Sequence, residues 1–296
     1  MSRPSPLIFF KQSLKSESIH SDELINIYVL RPIASAIVWL VYPTRITPNQ
    51  LTTAALCAGI AASWVYTANT PIAIAGAGLL VTLKDVLDDA DGQLARAKSL
   101  YSRRGRFLDS IGDFIVNVFL FAALTAVVYR SHPAPTTIVL GALSFLGITL
   151  RVSYHVFYQV SFLHLESQYK FNRIVEEITE EDRRGDPVAL RLQKIFLLMY
   201  GWQDWLMHRI DLWCRGTRLD EKRGHEWYND RLGLRISGLL GFGTEYAVLT
   251  ICSLLNDLPL YLLLNVLLMN GIWTVSIVYR KMNLAHALRA APHNVP

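Results

Sequence analysis

Six hydrophobic stretches, near residues 50–68, 71–91, 109–129, 136–161, 237–255 and 258–279, are each long enough to cross a bilayer, a crossing needing about 17 to 25 apolar residues. Nothing else in the chain restricts its fold as much, because backbone inside hydrocarbon has to satisfy its own hydrogen bonds, which helices and closed barrels alone achieve. Runs of this length read as helices, so the expected fold is an all-α polytopic membrane protein. Composition agrees: 52% of the 296 residues are hydrophobic and 18% charged, against roughly 25% charged in soluble domains. A mean hydropathy of +0.27 argues against disorder and against an ordinary soluble enzyme. Cys57, Cys214 and Cys252 lie too far apart for a disulfide framework or a zinc module. With this hydropathy, the net charge of +5 points to a membrane surface and not to nucleic acid.

Positive charge orients the spans. With the N-terminus in the cytoplasm, every Lys and Arg except Lys84 and Arg130 falls on the inner side. A seventh crossing would scramble that alternation, so residues 22–42, with the short apolar stretch Ile33 to Tyr42, are read as an amphipathic helix lying in the interface. The expected organisation is a cytoplasmic N-terminus with this helix (1–49), four spans (50–165), a cytoplasmic helical insert (166–236), and two spans with a short cytoplasmic tail (237–296). The insert opens with acidic residues Glu176, Glu177, Glu180, Glu181 and Asp182 and breaks at Gly185-Asp186-Pro187. Beyond the break, Leu192, Ile195, Phe196, Met199, Trp202 and Leu206 begin a helical stripe. That helix lies either at the headgroup level or against its own domain or a dimer partner.

Ionisable residues beside a span are costly and are functional candidates for that reason. Here they cluster in Asp88-Asp89-Ala90-Asp91-Gly92-Gln93-Leu94-Ala95-Arg96, followed by Gly105, Asp109 and Asp113. Asp88 and Asp91 are spaced i, i+3, while Gly105, Asp109 and Asp113 are spaced i, i+4, i+8, so each set occupies one helix face. A basic turn (Lys98, Arg103, Arg104) joins the two helices and lets the faces meet. Four opposed carboxylates repel, and two divalent cations relieve them; oxygen-only ligands favour Mg²⁺ or Mn²⁺. Gly92, Ala95 and Gly105 leave room for a phosphate-bearing ligand near the backbone, and Arg96 brings a fork of donors. Eight residues fixed at this spacing arise by chance about once in 10¹⁰ start sites.

The pattern DxxDGxxAR-x8-GxxxDxxxD resembles the signature of the CDP-alcohol phosphotransferase family at every fixed position, and Thr47-Pro48-Asn49-Gln50-Leu51-Thr52 is similar to the family's segment before its first span. The resemblance implies six membrane helices behind an interfacial helix, with the 166–236 insert outside the shared core, and a homodimer. It also implies two Mg²⁺ or Mn²⁺ ions on Asp88, Asp91, Asp109 and Asp113, clamping the diphosphate of a CDP-linked alcohol donor. Gly92, Arg96, Ser102 and Gly105 would then adjoin the CDP group, with Asn49 to Thr52 near the nucleotide. Asp113 would serve as general base, taking the proton of an acceptor hydroxyl that attacks the β-phosphorus and releases CMP. Asp89 occupies a free position of the motif.

Arg151 and His155, one turn apart on the fourth span, and Glu245 after Gly241-Phe242-Gly243-Thr244 are candidates for an acceptor or headgroup pocket. Each also has a plain structural reading: snorkelling or a buried hydrogen bond for the first two, a helix cap for Glu245. Lys84 and Asp85 read as an internal charge pair. Tyr28-Val29-Leu30, Pro32, Pro43 and Pro48-Asn49 resemble the segment before the first span of choline and ethanolamine phosphotransferases. That points to a CDP-choline or CDP-ethanolamine type of donor with a lipid acceptor. The alternative is CDP-diacylglycerol with a small polar alcohol of the inositol, glycerol phosphate or serine type. Two other classes fit less of the pattern. Membrane prenyltransferases carry their Asp motifs in separate halves of the chain, and a divalent-cation transporter needs its site near the midplane.

Overall fold

In the computed structural model every described element is a helix. Residues 8, 9, 11, 21–165, 176–216 and 221–290 are described, without the side chains of 221–223 and 284–290. Four helical runs, Arg103–Ser131, Pro135–Leu165, Gly224–Leu254 and Leu258–Asn283, are long and apolar enough to cross a membrane. The first two expected crossings are also helices, but they are not among these four runs. The second carries Lys84, Asp85, Asp88, Asp89 and Asp91, and the first is rich in Asn, Gln, Thr and Ser.

A π-helical turn (Asn26–Leu30) leads into α1 (Arg31–Val41), where the interfacial helix is expected. Leu30, Ala34 and Val38 are buried against Leu51 of α2 (Pro48–Tyr66) and Val86, Ala90 and Leu94 of α3 (Pro71–Lys98), while Ile33 and Leu40 remain exposed. Helix starts follow local chemistry. Thr47 caps α2 in a reciprocal capping box with Gln50, and Thr70 accepts from Ala73 N–H ahead of α3. Pro48 and Pro71 fill first-turn positions that need no amide donor. Helix α3 ends at Ser99, which takes left-handed dihedrals (φ 55°), and Ser102 caps α4 (Arg103–Ser131) through a 2.9 Å bond from Gly105 N–H.

Helix α5 (Pro135–Leu165) adds Ile148 and Val152 to a core that includes Tyr66, Ala77, Leu120 and Leu124 and, from the last third of the chain, Leu249 and Tyr261. Gly59 permits the close approach of α2 to α4: a Cβ there would lie 2.5 Å from Val116 Cγ1. The insert continues this packing. Residues 166–175 and 217–220 lie outside the described residues; the rest forms α6 (Glu180–Arg184), α7 (Pro187–Arg215), α8 (Glu221–Tyr228) and α9 (Arg231–Gly238). Helix α7 begins at the expected break, with Asp186 as its cap. It buries Gln203, Met207 and Asp211 and leaves Ile195, Trp202, Trp205 and Trp213 exposed. Phe196 packs on Phe107 of α4, with ring centroids 5.4 Å apart. Asp211 is tolerated in the interior because it accepts bonds from Tyr158, Trp227, Tyr228 and Arg215. The chain closes with α10 (Phe242–Leu254), α11 (Leu258–Leu263), a second π-helical stretch (Leu264–Met269) and α12 (Asn270–Ala290).

Candidate active site

The end of α3 and the start of α4 converge as the i, i+3 and i, i+4 spacings require. One carboxylate oxygen each from Asp88, Asp91 and Asp109 lies within 4.8 Å of the others. Asp109 Oδ1 is buried with no hydrogen-bond partner, and among the described residues no basic side chain comes within 4.0 Å of Asp91 or Asp109. Orphaned, oxygen-only, converging carboxylates fit a hard divalent cation such as Mg²⁺ or Mn²⁺. Asp113 stands apart from this triad. Its Oδ1 faces Lys84 Nζ at 2.5 Å, and Lys84 also approaches Asp88 at 3.8 Å. Lys84 was expected to pair with Asp85; successive residues of a helix point about 100° apart, and Lys84 faces Asp113 of α4 instead.

The residues expected around the nucleotide gather beside the triad. Thr52 donates to Asp91 Oδ2 and, at 3.2 Å, to Pro48 carbonyl. Asn49, Ser102 and Gly105 meet at one point: a Cβ on Gly105 would lie 2.9 Å from Asn49 Oδ1 and 3.0 Å from Ser102 Oγ. Arg96 folds back over Gly92, whose missing Cβ would sit 3.6 Å from Arg96 Nη1. A small-residue floor under a guanidinium fork suits a phosphate approaching the backbone.

The free positions of the motif hold α1 in place. Gln93 accepts from Ser35 Oγ at 2.8 Å and donates to Arg31 carbonyl at 3.3 Å, while Arg31 pairs with Asp22. The basic turn is also engaged. Lys98 donates to the carbonyls of Thr44 and Ile46, Arg103 pairs with Glu176 and Asp182, Arg106 with Glu176, and Arg104 with Asp186. The acidic opening of the insert is thus the counter-charge of the first turn of α4.

Arg151 and Glu245 come together. Arg151 Nη2 lies 2.9 Å from Glu245 Oε2, and both side chains are buried, at 0% and 2% exposure. Arg151 Nη1 also donates to Asn265 carbonyl and Asn270 Oδ1, and Tyr261 and Asn265 donate to Glu245 Oε1. His155 is buried, its Nδ1 without a partner. Glu245 does not cap its helix. Glu23, far back in the chain, does so by accepting from Thr244 N–H at 2.8 Å. Burial pushes the Glu23 carboxyl up to about 8. No local signal marks Glu23 or the true partner of Lys84; the one available hint is the pair Gly241 and Gly243, whose lack of a Cβ makes room for Glu23 and Asn26.

Residues 45–213 match the family model for CDP-alcohol phosphatidyltransferases. That match runs almost to the end of α7, so much of the 166–236 segment falls inside it. Similar curated proteins include the bifunctional IPC transferase and DIPP synthase of Archaeoglobus fulgidus, 34% identical over 105 residues, covering 36% of this chain and 19% of that protein. The protein of the same name from Thermococcus kodakarensis is 34% identical over 110 residues, covering 37% of this chain and 24% of its own length. The phosphatidylinositol phosphate synthase of Corynebacterium glutamicum is 30% identical over 128 residues, covering 43% of this chain and 55% of its own. The chain therefore matches between about a fifth and just over half of the length of these relatives.

Proposed function

The chain belongs to the CDP-alcohol phosphatidyltransferase family, and from that premise we propose that it transfers a phosphatidyl group from CDP-diacylglycerol to a small polar alcohol, releasing CMP. The observation that carries this reading is the convergence of Asp88, Asp91 and Asp109, with Asp113 one turn further along α4. The donor differs from the choline or ethanolamine type expected from the segment before the first span. That segment is short, whereas the matched relatives are named for IPC, DIPP and phosphatidylinositol phosphate. The last of these names joins a phosphatidyl group to an inositol headgroup, so an inositol-type acceptor is the best supported.

Asp88, Asp91 and Asp109 would hold a divalent cation, which when bound neutralises the diphosphate and the departing CMP. Arg96, folded over Gly92, donates to a phosphate oxygen, and Asn49, Thr52, Ser102 and Gly105 line the nucleotide side. Asp113 accepts the proton of the acceptor hydroxyl as that oxygen attacks the β-phosphorus. Arg151, His155 and Glu245 are the remaining candidates for an acceptor pocket, although Arg151 and Glu245 already satisfy one another. The proposed topology has six crossings, with α2 and α3 joining the four more apolar runs, α1 in the interface, and both termini, the active site and residues 166–236 in the cytoplasm. Its support is the charge asymmetry that leaves Lys84 and Arg130 alone off the inner side. A homodimer follows from family resemblance.

The test is CMP release by detergent-purified protein with Mg²⁺ or Mn²⁺. CDP-diacylglycerol is offered with inositol, inositol phosphate, glycerol phosphate or serine, and CDP-choline or CDP-ethanolamine with diacylglycerol. Release from CDP-diacylglycerol alone is expected. Release from CDP-choline would reverse the donor assignment, and Mn²⁺ uptake into proteoliposomes without CMP release from any donor would replace the enzyme by a transporter.

A further inference from the structure

Lys84 lies in a seat built by four helices. It is 1% exposed, with Nζ 2.5 Å from Asp113 Oδ1 on α4 and 3.8 Å from Asp88 Oδ2 on its own helix. Its stem passes Gly59 of α2, where a Cβ would lie 3.4 Å from Lys84 Cγ. From α10, the stacked rings of Phe242 and Tyr246 lie 5.7 Å and 5.4 Å from the ammonium. Tyr246 is itself fixed by donating to Asn117 Oδ1 at 3.1 Å. Aromatic faces and a carboxylate around one ammonium are the surroundings in which a buried cation is stable.

The four motif carboxylates therefore divide into two environments. Asp88, Asp91 and Asp109 converge on a common point. Asp109 Oδ1 and Asp113 Oδ1 both lack a hydrogen-bond partner, but only Asp113 has an ammonium beside it, Lys84 Nζ at 2.5 Å as its ion-pair partner. A second divalent ion on Asp113 would have to displace the ammonium from Oδ1 or share the carboxylate with it, which brings two like charges together in a buried site. Among the described residues no carboxylate other than Asp113 and Asp88 lies within 4.0 Å of that ammonium.

We propose that the Lys84 ammonium stands in for the second divalent cation, so that the chain binds one ion, on Asp88, Asp91 and Asp109, while Lys84 positions Asp113. The inference rests on the reading of the triad as a metal site and departs from the two ions implied by resemblance. It also gives Asp113 a fixed orientation, with Oδ1 on the ammonium and Oδ2 left for the acceptor hydroxyl.

The experiment counts Mn²⁺ bound by the full-length, detergent-purified chain, by equilibrium dialysis and by loss of the free-Mn²⁺ electron paramagnetic resonance signal, with and without CMP. One Mn²⁺ per chain is expected. Lys84→Met should raise the count to two, and Lys84→Arg should keep it at one. Two Mn²⁺ on the unaltered protein overturn the inference without needing any variant to fold, as does a count of one in a monodisperse Lys84→Met sample. CMP release measured on the same preparation separates the failures. Two ions with release intact removes the role of Lys84 alone, whereas no bound Mn²⁺ and no release removes the metal site and the proposed activity together.

Discussion

Replacing Arg151 by Met separates a structural ion pair from an acceptor pocket. Arg151 and Glu245 are both buried, 2.9 Å apart, on helices α5 and α10. Removing one partner of such a pair leaves an uncompensated charge and costs about 3–5 kcal/mol. Tyr261 and Asn265 still donate to Glu245 Oε1 in the variant, which puts the loss at the low end of that range. Unfolding entropy of about 2.1 cal/mol/K per residue gives roughly 0.6 kcal/mol/K for 296 residues, so the thermal midpoint should fall by about 5 °C. The double variant Arg151→Met with Glu245→Leu should recover most of that loss, because two apolar side chains replace two opposed charges. The assay is thermal unfolding in detergent followed by size-exclusion fluorescence, alongside KM for the polar acceptor. A single variant with an unchanged midpoint and a KM raised tenfold or more would refute the structural reading and put the pair in the acceptor pocket.

Three further outcomes follow from the same geometry. Asp113→Asn should lower CMP release by about 10²–10⁴-fold, the usual worth of a general base, while CMP binding measured by calorimetry changes little; an active variant removes the base assignment. Gly105→Ala should weaken CMP binding about tenfold, roughly 1.4 kcal/mol, because the added Cβ meets Asn49 Oδ1 at 2.9 Å; unchanged affinity would move the nucleotide elsewhere. Glu23 is raised from 4.5 to about 8 by burial, so between those values the folded protein keeps a proton that the unfolded chain has released. Stability should therefore be greatest below pH 4.5 as far as this group is concerned, and fall by at most ~5 kcal/mol as pH rises to 8. Glu23→Gln, which keeps an acceptor for Thr244, should flatten the profile of thermal midpoint between pH 5 and 9, and a parallel profile counts against it.

What the sequence makes legible here is whatever one helix or one turn decides. The caps at Thr47, Thr70 and Ser102 need only their own next turn, and the faces of Asp88/Asp91 and Asp109/Asp113 follow from helical pitch alone. The triad then requires a single further fact, that adjacent helices pack side by side. Lys84 escapes such reasoning because two carboxylates compete for it, Asp85 beside it in sequence and Asp113 beside it in space. The Arg151–Glu245 pair spans 94 positions, and nothing local tells a buried salt bridge from a headgroup pocket. The arginines at the start of α4 read only as a basic turn, since their partners Glu176, Asp182 and Asp186 lie beyond two long helices, α4 itself and α5. The helical stripe of α7 is correct in period, but it leaves Ile195 and Trp202 exposed.

The cap supplied by Glu23 to Thr244 has a consequence for how the chain is made. The two residues are 221 positions apart, and ribosomes add roughly 5–20 residues per second, so the acceptor waits on the order of 10–45 s for its donor to be synthesised. During that interval the Glu23 side chain has no helix end to serve. The start of α10 is likewise incomplete until it reaches a neighbour synthesised long before it. The Glu23–Thr244 bond can therefore form only after nearly the whole chain has been made.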